Sequence, residues 1–123
     1  MNRYFGAKLA GSMFPTGRLS LKKEDLTPAE AREFAGSEGV IFSFGSHYRA
    51  TLQAVELIHQ IEIPTQEEPP KFVLRAGDSL VLLQVSNLPP LEGTFSAYTR
   101  EQALRAQFRF TKFTLLDVHP LES

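Results

Sequence analysis

An α+β fold is what this sequence predicts, and three observations predict it. Two helices are announced by capping boxes, Thr27-Pro28-Ala29-Glu30 and Thr99-Arg100-Glu101-Gln102. In such a box the threonine hydroxyl accepts from a first-turn N–H while the Glu or Gln reaches back to the cap. Two apolar runs of strand length, Val40–Phe44 and Leu80–Val85, carry side chains suited to both faces of a sheet. Hairpin signals and helix signals are mixed along the chain, which favours a mixed, mostly antiparallel sheet of about five strands with two or three helices packed on it. There is no internal repeat and no linker long enough to divide the 123 residues, so residues 1–123 are expected to form a single domain.

Taken in order, Arg3 to Ala10 is a short mixed segment and reads as a first strand. Met13-Phe14-Pro15-Thr16-Gly17 is a turn signal, because proline presets one dihedral and glycine permits a positive one. Arg18 to Lys22 alternates and reads as a second strand, giving a hairpin with the first. Thr27 caps a short helix, with Pro28 at its first position, that ends by Gly36. Val40–Phe44 is expected to be a central strand. A second helix follows from about Ser46 to Gln60, with Tyr48, Leu52, Val55 and Ile58 or His59 on one face. Ile63 to Pro70, rich in prolines and acids, is a surface loop. Phe72–Arg75, a turn at Ala76–Ser79 and Leu80–Val85 read as strand, turn, strand, the second of these central. Ser86–Gly93 is a loop, Thr99 opens a helix to about Ala106, and Phe108–Val118 is the last strand.

Composition narrows the function classes. Hydrophobic residues make up 42% and charged residues 22%, as in an ordinary globular protein, and ten phenylalanines point to an aromatic core. A formal net charge of −1 counts against duplex DNA as the partner, since a polyanion is held by a broad basic field. The absence of cysteine excludes disulfides and thiolate metal sites. No apolar run approaches the roughly 20 residues of a membrane span, and no signal-peptide core forms after Met1, so no membrane partner and a cytoplasmic setting are expected. No histidine–carboxylate spacing resembles a metal site, and neither a phosphate loop nor a dinucleotide fingerprint is present, so no metal and no cofactor are expected.

The junction Phe44-Gly45-Ser46-His47 carries the chemistry. A strand running through a glycine turn into a helix start presents free backbone N–H groups that favour phosphate. A histidine there is a residue type suited to proton transfer near neutral pH. Gly45 and Ser46 are therefore candidates to hold a phosphate, His47 a candidate acid or base, and Arg49 and Lys71 candidate phosphate cations. Glu92, in Leu91-Glu92-Gly93, could orient a base or a sugar hydroxyl. The plainer readings are that Ser46 merely caps a helix, His47 is a solvated first-turn residue, and each cation and Glu92 are solvated. The segment Arg105–Phe113 interleaves cations with aromatics, as base-stacking surfaces do. Its plainer reading is that the phenylalanines are core, since Phe110 and Phe113 cannot share one face of a regular strand.

Several segments in order resemble a known family. They are Lys8-Leu9-Ala10-Gly11-Ser12-Met13-Phe14-Pro15, then Ser43-Phe44-Gly45-Ser46-His47 with Thr51-Leu52, then Ala76-Gly77-Asp78-Ser79-Leu80 with Leu83-Gln84-Val85, then Leu91-Glu92-Gly93. In this order and spacing the chain resembles the small viral and mobile-element family that includes the type III anti-CRISPR ring nucleases. The resemblance spans nearly the whole chain. It implies an α+β homodimer that binds a cyclic oligoadenylate messenger across its two-fold axis. In the nucleases a ribose 2′-hydroxyl attacks the neighbouring phosphate without a metal, leaving a 2′,3′-cyclic phosphate. By carry-over His47 is the general acid and Glu92 the assisting carboxylate. Two departures stand out. Ser46 intervenes where that family has glycine directly before histidine, and Asn87-Leu88-Pro89-Pro90 stands where its loop arginine belongs.

The expected function is accordingly a homodimeric binder of a cyclic oligonucleotide, with metal-independent cleavage as its catalytic form. The alternatives are a non-catalytic sponge for a signalling nucleotide and a small DNA- or protein-interaction module.

Overall fold

Strand order, more than strand identity, distinguishes the structure from the expectation. The computed structural model describes residues 1–91 and 97–120. Its strands are β1 (Arg3–Gly6), β2 (Arg18–Leu26), β3 (Val40–Ser43), β4 (Ser79–Ser86) and β5 (Gln107–His119), and its helices are α1 (Pro28–Ala35), α2 (Arg49–His59) and α3 (Arg100–Arg105). The five strands form one mixed sheet in the order β2-β5-β4-β1-β3. This is the expected α+β arrangement, with five strands and three helices against the about five strands and two or three helices that the sequence predicts.

The hairpin expected between the first two strands does not form. β1 runs parallel to both its neighbours, with Phe5 opposite Phe42 of β3 and Val81 of β4. β2 pairs antiparallel with β5 instead. Burial explains the exchange. Tyr4, Phe5 and Gly6 are buried and belong inside a sheet, whereas β2 carries Lys22-Lys23-Glu24-Asp25 and lies largely in solvent, as charged edge strands do.

Val40–Phe44 is likewise not central. β3 is the opposite edge, and its Ile41 is 36% exposed. The apolar run is accommodated there because Val40 and Phe42 pack against the helical core, while the following loop bonds the end of the strand. The N–H of Gln66 donates to Phe44 O (2.8 Å), and Ser43 Oγ donates to Pro70 O (3.2 Å). β4 is the middle strand, as expected, and its residues 79–83 are all buried.

Phe72–Arg75 is not a strand. It folds across the sheet, with the N–H of Leu74 donating to Met13 O (2.7 Å) and the Phe72 ring stacked on Tyr4 at 3.9 Å. The buried Asp78 carboxylate fixes the turn into β4, accepting from the N–H groups of Arg75 (2.9 Å) and Asn2 (2.8 Å). Gly77, at φ 93°, supplies the left-handed residue that this turn needs.

Two cores result, one on each face. Phe5, Val81, Leu83 and Phe110 meet Ala31 of α1 and Leu52 and Val55 of α2 on the helical face. Tyr4, Leu80 and Leu115 pack with Leu74, Met13 and Phe14 on the other. Register separates the aromatics of β5: Phe110 enters the helical core, and Phe113 stands opposite Leu80 of the second core. The interleaved segment Arg105–Phe113 is thus spent on core packing, with Arg109 exposed and Lys112 lying 5.7 Å from the centroid of the Phe34 ring. Both capping boxes form as the sequence predicts, Thr27 with Glu30 and Thr99 with Gln102.

Candidate ligand-binding site

The parallel strands β1 and β3 end side by side, and a cavity of about 150 Å³ lies beyond their carboxyl ends. Such ends are where ligands settle on parallel sheets, because the chain there leaves the sheet in loops free to diverge around a ligand. Lys8 follows β1 and His47 follows β3, and both line the cavity with Ser43, Gly45, Tyr48 and Phe72. The apolar part of the wall comes from Met13, Phe72 and Pro69.

Position of the histidine follows from a row of rings. Phe5 contacts Phe44 at a centroid distance of 5.8 Å, Phe44 meets Tyr48 edge-on at 5.9 Å, and Tyr48 meets His47 at 4.2 Å. The buried core therefore steadies the exposed imidazole through three aromatic contacts. Gly45 completes the seat. A Cβ there would fall 2.8 Å from His47 Cε1 and 2.8 Å from Nδ1, so the ring occupies the space a side chain would need. The backbone of Gly45, at φ −69°, is open to any residue; the requirement is space and not conformation.

The helix entrance differs from the expectation. Ser46–Tyr48 is a 3-10 turn, closed by Tyr48 N–H donating to Gly45 O (3.0 Å), and α2 proper starts only at Arg49. Gly45, not Ser46, holds the cap position of this turn, and Tyr48 holds that of α2. This turn places the start of α2 beyond the histidine.

Of the sequence candidates, Gly45 and His47 come together in the cavity. Ser46, Arg49 and Lys71 are exposed and do not line it among the described residues, although Lys71 adjoins the wall residue Phe72. Glu92 lies outside the described residues. Sequence reasoning missed Lys8, Tyr48 and Phe72 as site residues. Lys8 could have been found only with the parallel pairing of β1 and β3 in hand.

A second groove of about 460 Å³ shares Ala7 and Tyr48 with the first and continues past the ends of β1 and β4. Thr51, Gln84 and Tyr98 give it polar groups, with Leu83 and Leu88 between them. Ala7 and Tyr48 border both spaces, so the two grooves adjoin. Together they suit a ligand longer than a single nucleotide, with aromatic walls for bases and donors for phosphate or ribose.

Among the described residues no three His, Asp or Glu side chains gather as a metal site requires, and no helix is long and apolar enough to cross a membrane. His59, the other histidine of α2, faces Phe108 and Phe110 edge-on, and burial pushes its ring below the ordinary histidine pKa.

No protein-family model matches the chain, and no curated protein does. Among solved structures the fold is similar to that of B116 of Sulfolobus turreted icosahedral virus (STIV), with a TM-score of 0.63 and 11% sequence identity over 93% of this chain and 99% of that one. At this identity the likeness is one of fold.

Proposed function

We propose that the protein binds a cyclic oligoadenylate second messenger, as a homodimer, in the groove beyond the ends of β1 and β3. One observation carries the reading: His47 of the strand–turn junction lies in the same cavity as a lysine and aromatic walls, at the carboxyl ends of parallel strands. The resemblance of the sequence to the ring-nuclease family names the ligand, the two-fold assembly and the setting, a viral protein in the host cytoplasm that blunts type III CRISPR signalling. The similar fold of a viral protein supports that setting.

A second reading, in which the bound messenger is also cut, is favoured by the exposure of His47 on the cavity wall. In that step the ribose 2′-oxygen bonds to phosphorus and its proton passes to solvent or a base. The bond from phosphorus to the 5′-oxygen breaks, His47 delivers a proton to the departing oxygen, and a 2′,3′-cyclic phosphate remains. No metal takes part in it.

The test is incubation of pure protein with labelled cyclic tetra-adenylate in the presence of a chelator. Binding at micromolar protein is expected. Intact ligand recovered on denaturation assigns a sponge, and a linear product assigns a nuclease. Neither binding nor product at that concentration ends the proposal.

A further inference from the structure

Resting on that ligand reading, we infer that Lys8 is the cation that holds the ligand's phosphate, in place of the loop arginine that this chain lacks and of the two cations, Arg49 and Lys71, that the sequence nominates. Lys8 is the one formally charged side chain, the histidine apart, among the described residues lining the cavity. It directly follows Gly6-Ala7 at the end of β1, across from the Ser43–His47 junction at the end of β3. No carboxylate is in that lining: Glu67 and Glu68, on the loop bonded to the end of β3, are exposed and lie outside it. Nor does Lys8 form an ion pair among the described residues, so none of their carboxylates has to be exchanged for a phosphate.

The lining supplies two kinds of contact. Lys8 and His47 are polar groups suited to a phosphodiester, and Met13, Phe72 and Tyr48 offer apolar surface suited to a base. Arg49 lies beyond the turn, at the start of α2, where its exposed side chain is outside the cavity. A lysine is a point charge on a flexible stem, so it can follow one phosphate without demanding bidentate geometry.

Salt-dependent binding of cyclic tetra-adenylate tests the assignment. Each neutralised phosphate of a single strand contributes about 0.7 to the slope of log K against log salt. Lys8→Gln should therefore weaken binding about ten- to a hundredfold and reduce the slope by about 0.7, with the melting temperature unchanged. Lys8→Arg should recover both. Lys23→Gln, on the far edge strand, should leave affinity and slope as they are. If Lys8→Gln keeps the wild-type slope, whether or not affinity falls, the assignment is wrong. If Arg49→Gln or Lys71→Gln takes the loss in its stead, the assignment falls and the ligand reading stands. Wild-type protein that does not bind cyclic tetra-adenylate overturns both.

Discussion

The imidazole of His47 rests on the Cα of Gly45, close enough that a Cβ on residue 45 would lie 2.8 Å from two of its ring atoms. The glycine is therefore a spacer for the histidine. A methyl group at residue 45 fits the backbone and displaces the ring.

Gly45→Ala separates seat from fold. The substitution should change the melting temperature by less than about 5 °C, the shift that about 1 kcal/mol produces in a domain of this size. Binding of cyclic tetra-adenylate should stay within a few-fold of wild type, since the wall formed by Lys8, Met13 and Phe72 is untouched. The His47 ring resonances should move in a proton–carbon NMR spectrum. Unaltered ring resonances would mean that the histidine does not depend on this seat.

Asp78 fixes a different part of the molecule. Its carboxylate ties the N-terminus of β1 to the turn before β4 by accepting from Asn2 and Arg75. The carbonyl of the same residue accepts from the N–H of Leu115 (3.0 Å), so three strands converge on it. Asp78→Ala leaves two partly buried N–H donors without partners and should cost about 2 kcal/mol. Urea unfolding should show a lower midpoint at constant slope. Asp78→Asn should recover little, because its amide presents an NH₂ to one of the two donors.

These cases mark what is legible in the chain. The capping boxes at Thr27 and Thr99 were readable because each is complete within four residues. The middle position of β4 was readable from an apolar run that needs cover on both faces. Partners of β1 were not readable: parallel strands are joined through distant chain, and residues 18–22 were the nearest strand-like segment. The edge position of β3 was hidden because Val40 and Phe42 pack into the core as a central strand's side chains would, and nothing local to Val40–Phe44 encodes which strands stand beside it. For the site, Gly45 and His47 were legible as a junction. Lys8 was not, because its relation to His47 exists only once β1 and β3 lie side by side.

His59 should make stability depend on pH. Its ring packs edge-on against Phe108 and Phe110, and burial lowers its pKa in the folded state. The unfolded chain then takes up the proton first as pH falls through about 6.5, the ordinary histidine value. Stability is full above that pH, declines below it, and levels off once the folded-state pKa is passed. In His59→Gln that part of the decline should vanish between pH 7.5 and 5.5, measured by urea unfolding at each pH. An unchanged difference between the two pH values would place the proton uptake elsewhere.

His47→Ala divides binding from cleavage. The cavity wall formed by Lys8, Met13 and Phe72 does not depend on the imidazole, so the variant should bind cyclic tetra-adenylate within a few-fold of wild type. A departing 5′-oxygen left without a proton donor is a poor leaving group, and loss of a positioned general acid costs about 10²- to 10⁴-fold in rate. If wild-type protein produces linear product, single-turnover assays in chelator should show that loss in His47→Ala, with the 2′,3′-cyclic phosphate still the product of the residual reaction. A rate equal to wild type would remove His47 from the chemistry and leave it a binding residue. A loss of binding equal to the loss of rate would assign it to holding the ligand, since a group that acts only in the transition state leaves ground-state affinity in place.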